Sequence, residues 1–226
     1  MSTVGMGSSY HSYVQPADNL PTACTEIKRR TQAERSAATR AALTSAARTL
    51  WGARGFAAVG TPEIAEAAGV TRGAMYHQFP DKAALFRAVV EAVEADVMAR
   101  LAEAVAGSVA TTPAAALRSA AESWLVVAMD PEVRQLILLD APNVLGWDGF
   151  RDVAQRYSLG MTEQLLSEAM KAGQLAEQPV RALAHILIGA LDEAAMVIAT
   201  ADDPDRTRAE VSTVVHRLLD AMLTET

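Results

Sequence analysis

Residues 61–82 read TPEIAEAAGVTRGAMYHQFPDK, the most informative run in the chain. It holds two short helices and their punctuation. Thr61 offers an N-cap hydroxyl, Pro62 stands in the first turn where a missing N–H costs nothing, and Glu63 suits the positive helix end. Ile64, Ala65 and Ala68 make an inner face, and Gly69 breaks the helix. Thr71 caps a second helix through Phe79, which Pro80 stops. Two such helices need a small residue where they cross, a glycine in the turn and apolar residues locking the second one. Ala65, Gly69, Val70 and Met75 fill those places at helix-turn-helix spacing. With Met75 and Phe79 inward, Arg72, Gly73, Tyr76 and His77 face out. A guanidinium for base edges, a glycine for close approach, and hydroxyl and imidazole donors for phosphates suit a nucleic-acid duplex. Any helical protein can contain two capped helices, so the pattern needs support from the rest of the chain.

Charge supplies it. The 226 residues carry a net −7, which taken whole argues against an anionic partner. Between Lys28 and Val90, however, ten Lys or Arg meet four Asp or Glu, whereas residues 91–226 hold ten bases against 21 acids. A basic front and an acidic back divide the labour, and the front faces an anionic polymer. The single Cys24 precludes an internal disulfide framework and fits a reducing, cytoplasmic setting. No basic start followed by an apolar run marks a secretory signal. The most apolar stretch, 180–201, includes Arg181, His185, Asp192 and Glu193, too many charges for a membrane span.

Working outward, residues 1–27 mix Ser, Gly, Pro and Asn without period and read as a disordered tail. Lys28 to Arg30 could extend as a basic arm. Leu43, Ala46, Ala47, Leu50 and Trp51 share one face of a helix over about 32–54, ended by Gly55. Asp81 caps a long helix to about Ala106. Leu117, Ala120, Ala121, Trp124, Leu125 and Ala128 form the next stripe. Asp130-Pro131 opens a helix that Pro142 is expected to close. Another spans about 148–172, with Phe150, Val153, Tyr157 and Met161 inward and Gly173 terminating it. The last two cover about 179–201 and 204–223, and the final one shows Val211, Val214, Val215, Leu218, Leu219 and Met222. The expectation is an all-α chain of about nine helices. The helix-turn-helix unit occupies 28–85, and a larger helical unit for ligand binding and dimerisation occupies 86–226.

The stretch from Leu43 to Leu85 resembles the DNA-binding domain of the TetR family of bacterial transcriptional regulators. The matching positions are Gly55-Phe56, Thr61, Ile64-Ala65, Ala68-Gly69-Val70-Thr71, Gly73, Tyr76-His77, Phe79, Lys82 and Leu85. The resemblance implies a homodimer whose last two helices pack into a four-helix bundle. It also implies an effector pocket in the larger domain and repression relieved when effector binding moves the fourth helix. Thr61, Tyr76, His77 and Lys82 match the family's phosphate contacts; Thr71, Arg72 and Gly73 match its base-facing positions. Gln78 departs from the aromatic or histidine frequent there.

The larger unit is less legible. Trp124, Asp140, Asn143, Trp147, Tyr157 and His185 are the candidate effector-pocket residues, although large aromatics are core residues first. Asp140 is either a group for a cationic ligand or a turn-former before Pro142. His185, Gly189, Asp192 and Met196 share a helix face, which admits a polar patch at the dimer seam, an ionised pair in the pocket, or a metal site without an evident third ligand. No metal, cofactor or catalytic set is expected: Ser/His/Asp and Cys/His sets at motif spacing, a Gly-rich phosphate loop and an HExxH pair are all missing. The expected partners are a palindromic double-stranded DNA operator and a small apolar or amphipathic effector, with an all-helical enzyme or a protein-docking module as the competing classes.

Overall fold

The computed structural model of the chain describes residues 31–108 and 112–223. The expected tail over 1–27 and the basic arm at 28–30 lie outside the described residues. Those described form eight helical runs and no strand, only an isolated bridge between Leu175 and Leu223. They are α1 (Gln32–Arg54), α2 (Thr61–Ala67), α3 (Arg72–Gln78), α4 (Lys82–Gly107), α5 (Pro113–Val127), a long run over 131–171, α8 (Val180–Ala199) and α9 (Pro204–Met222). The run over 131–171 bends at Gly146, whose φ of 69° belongs to the left-handed region that only glycine enters freely. It is therefore two helices, α6 (131–145) and α7 (147–171), which makes nine.

Local chemistry sets most boundaries. Thr31 and Glu34 form a reciprocal capping box, and Thr71, Asp81, Thr112 and Asp203 each accept a backbone N–H of the helix they start. Gly69 at φ 65° makes the tight turn between α2 and α3. Two expectations are corrected. Thr61 is not the cap of α2: Gly60 holds that position, without a side-chain bond, and Thr61 begins the helix. Nor does Pro142 end a helix. Arg134–Asp140 is wound as a wider π-helix in which the Ala141 N–H reaches back to the Leu136 carbonyl. The wide turn accommodates a residue lacking an N–H, so the helix runs on to the glycine.

The 26-residue α4 is the spine, roughly 39 Å long at 1.5 Å per residue. It packs against α1, α5, α6 and α7. At the front, Trp51, Phe56 and Phe86 form a mutually packed trio with centroids 4.9–5.4 Å apart. The Trp51 indole N–H donates to the Val59 carbonyl at 3.3 Å.

Polar ties join the first three helices to α6. Arg48 forks onto Glu132 at 2.7 and 2.8 Å and reaches Asp96 on α4 at 2.5 Å. The Glu132 hydrogen bonds, opposed by partial burial and assisted by Asp96, raise its already high pKa. Asp140 accepts the Phe56 N–H at 2.8 Å and the Gln135 amide at 3.1 Å. Lys82 donates to the Phe56 carbonyl at 2.6 Å. The peptide flanking Phe56 is thus held from α6 on one side and α4 on the other.

By length and composition α8 would also cross a membrane. It carries Asp192 and Glu193 at mid-length, and its apolar surface is shared among the core, an internal cavity and a groove along α9.

Candidate nucleic-acid interface and internal cavity

The short α3 presents its two faces as its spacing requires. Met75 and Phe79 are fully buried; Thr71, Arg72, Gly73, Tyr76 and His77 are exposed. The Arg72 guanidinium lies 5.7 Å from the Tyr76 ring centroid. The Tyr76 hydroxyl meets the Thr61 hydroxyl at 3.2 Å, and that bond, with help from Arg72, lowers its pKa. Thr61 itself is buried and orients Tyr76. Gly73 has no internal reason to be glycine: a Cβ there would meet only the Thr71 hydroxyl, at 3.9 Å. The open space lies outside the protein, where a partner would approach. Lys82 turns toward the protein, 3.9 Å above the Phe56 ring, and partial burial lowers its pKa. Gln78 exchanges hydrogen bonds with Ser36, and its carbonyl accepts from Arg40, so it fastens α3 to α1.

Behind this unit, α4, α5, α7 and α8 surround a cavity that is narrow inside and opens to solvent at a wider mouth. Its wall is apolar apart from Glu94 on α4, Ser158 and Thr162 on α7, and Asp192 on α8. Trp124 lines it too, its indole N–H donating to the Leu191 carbonyl at 3.1 Å. Burial pushes both acids up to about 7, Glu94 with added repulsion from Asp192.

Residues 43–89 match the family described as bacterial regulatory proteins, tetR family, and residues 114–222 match the tetracyclin repressor-like C-terminal domain. A TetR-family transcriptional regulator from Pectobacterium atrosepticum superposes with a TM-score of 0.75 at 32% identity, over 87% of this chain and 99% of that one. The chain belongs to the TetR family. It is also 26% identical to the Transposon Tn10 TetC protein of Escherichia coli over 162 residues, 70% of this chain and 79% of that protein. RolR, solved with its ligand resorcinol, shares the fold at a TM-score of 0.66 and 22% identity, over 86% of this chain and 99% of the other. DNA-binding transcriptional regulation follows for this TetR-family chain.

Of the residues expected in its effector pocket, Trp124 lines the cavity. Trp147 and His185 line an outer groove beside it, with Asp192 common to both. Asp140, Asn143 and Tyr157 are elsewhere. Asp140 accepts the Phe56 N–H and so ties α6 to the segment after α1. Asn143 is exposed and donates to the Leu139 carbonyl at 2.7 Å, while Tyr157 packs against the core. The polar face of α8 divides: Asp192 borders both the cavity and the outer groove, His185 the outer groove, and Glu193 the apolar groove shared with α9. Sequence reasoning missed Glu94. Its signal was present, an acid inside the apolar stripe of Phe86, Val90, Val93, Val97 and Leu101.

The two acids make stability depend on pH in this regulator. Their folded pKa values exceed the ordinary ones, 4.5 for Glu94 and 3.8 for Asp192. Their contribution is therefore complete below the ordinary range and is lost as pH rises through about 7. For Glu94 this is on the order of 2 kcal/mol between about pH 5.5 and about pH 8. Denaturant unfolding of Glu94→Gln should show a flatter pH dependence than the parent and higher stability at alkaline pH. Parallel curves for the two proteins would mean that Glu94 does not hold its proton in the folded chain.

Proposed function

We propose that this chain is a homodimeric repressor that grips a palindromic operator through paired α3 helices and lets go when a small apolar or amphipathic effector enters the cavity. The outer surface of α3 carries the reading. Thr71, Arg72 and Gly73 stand where bases would be met, and Tyr76 and His77 where phosphates would be, on the front part of the chain where cations outnumber acids. Thr61 supports the phosphate side through Tyr76, and Lys82 keeps further N–H donors for a backbone oxygen at the start of α4. Two copies pair through α8 and α9, which expose Ile186, Val197, Val214 and Leu218. Paired helices of this kind make an isologous four-helix contact. Since α4 runs from Lys82, below the reading helix, to Glu94 and Leu101 in the cavity, a ligand wedged at one end tilts the other. Two reading heads must match half-sites about 34 Å apart, so a modest tilt suffices for release.

Selection of bound duplexes from random DNA at two salt concentrations tests this directly. The expected product is a palindrome whose retention falls steeply with salt, as counterion release demands. Against that operator Arg72→Ala should lose about ten- to a hundredfold in affinity and relax base preference at one position per half-site. Gly73→Ala should stabilise α3 slightly, by about 0.5–1 kcal/mol, yet weaken binding, separating the needs of the fold from those of the duplex. Unchanged affinity and base preference in Arg72→Ala would remove the base-reading role.

A further inference from the structure

The polar groups facing the cavity share one property. The Ser158 hydroxyl spends its proton on the Ala154 carbonyl at 2.6 Å, and Thr162 on the Ser158 carbonyl at 3.0 Å. The Trp124 N–H is likewise committed, to Leu191. Glu94 is only 6% exposed and lines the cavity without a hydrogen bond or ion pair to any described residue. Asp192 faces the same space from the opposite helix, also without such a partner. No Lys, Arg or His is among the cavity's lining residues; Arg151 and His185 line the outer groove, which Asp192 also borders. With both acids ionised, the cavity offers acceptors and no free donor.

A buried acid without a partner is costly, and a site built only of acceptors selects what enters it. An anionic ligand would be repelled by each acid that is ionised and could enter only while both held their protons. A plain hydrocarbon would fill the apolar wall and leave both acids desolvated. An ammonium carries the opposite charge and three N–H donors, and charge-assisted bonds to carboxylates are the strong ones. The aromatic rings of Trp124 and Phe150 in the same wall suit a cation with an apolar body. We infer that the cavity recognises an apolar amine, a protonated ammonium on a hydrocarbon or aromatic body, held by Glu94 and Asp192 with the oxygens of Ser158 and Thr162 as further acceptors. The inference rests on the reading of this cavity as the effector site. In the empty cavity the raised pKa values keep a large share of both acids protonated near neutrality. Amine binding therefore ionises them and releases protons to solvent.

The test uses the full chain without DNA and matched ligand trios. Each trio is a phenylalkylamine, the alcohol of the same length and the carboxylate of the same length, with linkers of about two to five carbons. Isothermal titration at about pH 7 should find an amine that binds at least about tenfold more tightly than its alcohol, with no carboxylate binding. The binding heat should vary with buffer ionisation enthalpy, the mark of proton release. Glu94→Gln should weaken the amine about tenfold or more and leave the alcohol unchanged. Asp192→Asn should do the same from the other wall, and the melting curve of each variant confirms that it is folded. The inference is overturned if alcohols or carboxylates bind as tightly as amines, if no amine in the series binds, or if both variants bind amine like the parent. Because the readout contains no DNA, an amine that binds but leaves operator occupancy unchanged would sink the release reading while the cation site stands.

Discussion

Replacing Ile186 and Leu218 together by aspartate is expected to leave a folded monomer whose operator affinity has fallen at least about a hundredfold. In one copy these side chains are 69% and 58% exposed, so neither supports the core and neither substitution has an internal reason to unfold the chain. They flank a groove walled by Leu183, Ala190, Val211, Val215 and Leu219, an apolar surface of a kind that monomers seldom leave open. Burying a large aliphatic side chain is worth about 1.5–3 kcal/mol, and in a two-fold contact each position counts twice. With about two thirds of each side chain left to bury, two positions in two copies amount to roughly 4–8 kcal/mol, a large part of the free energy of a micromolar to nanomolar dimer. A charge at each place adds desolvation to the loss. Half-operator binding by single heads would persist weakly, since pairing supplies the second head at high effective concentration. Sedimentation of the variant at micromolar concentration, beside a titration of the operator, reads both effects. A double variant that still sediments as a dimer would show that the copies meet elsewhere.

The second large effect concerns stability. Trp51→Ala should cost about 3–5 kcal/mol through lost packing and the void left among Phe56, Phe86 and α4, which are too constrained to collapse into it. The Val59 carbonyl loses its indole donor as well, adding about 1 kcal/mol. A domain has only about 5–15 kcal/mol in hand, so a large part of its margin disappears. Val59 leads into Gly60 and α2, so the loss also loosens the platform beneath α3, and operator binding should fail before global unfolding. Trp51→Phe, which keeps most of the volume and removes only the N–H, should cost much less and retain binding. Chemical unfolding of the pair distinguishes packing from hydrogen bonding; a loss below about 1 kcal/mol for Trp51→Ala would contradict the central place given to this residue.

The contrast between the two ends of the molecule explains what was readable in the chain. In the first half, each decision is made by neighbours. Thr71 caps the helix it begins, Gly69 takes the one turn conformation a Cβ resists, and Met75 and Phe79 share a face because they are four residues apart. Even here Thr61 misled: a threonine before Pro62 reads as a cap, whereas its hydroxyl is used by Tyr76, fifteen residues on. Pro142 misled in the same way. A proline ordinarily breaks an α-helix, and only the wide π-turn before it, a product of how α6 packs on its neighbours, lets the helix continue to Gly146.

The linear chain thus carried the all-α class, the order of the helices, the helix-turn-helix and the outward face of α3, because caps, breakers and amphipathic period act within a few residues. The cavity had to wait for the packed molecule. Glu94 and Asp192 lie on different helices almost a hundred residues apart, and what makes them a pair is that α4 and α8 converge with α5 and α7. Asp140 became a tie to Phe56 for the same reason. Exclusion of water and the meeting of distant side chains are properties of packing, and they turn an ordinary carboxylate into a group awaiting a partner.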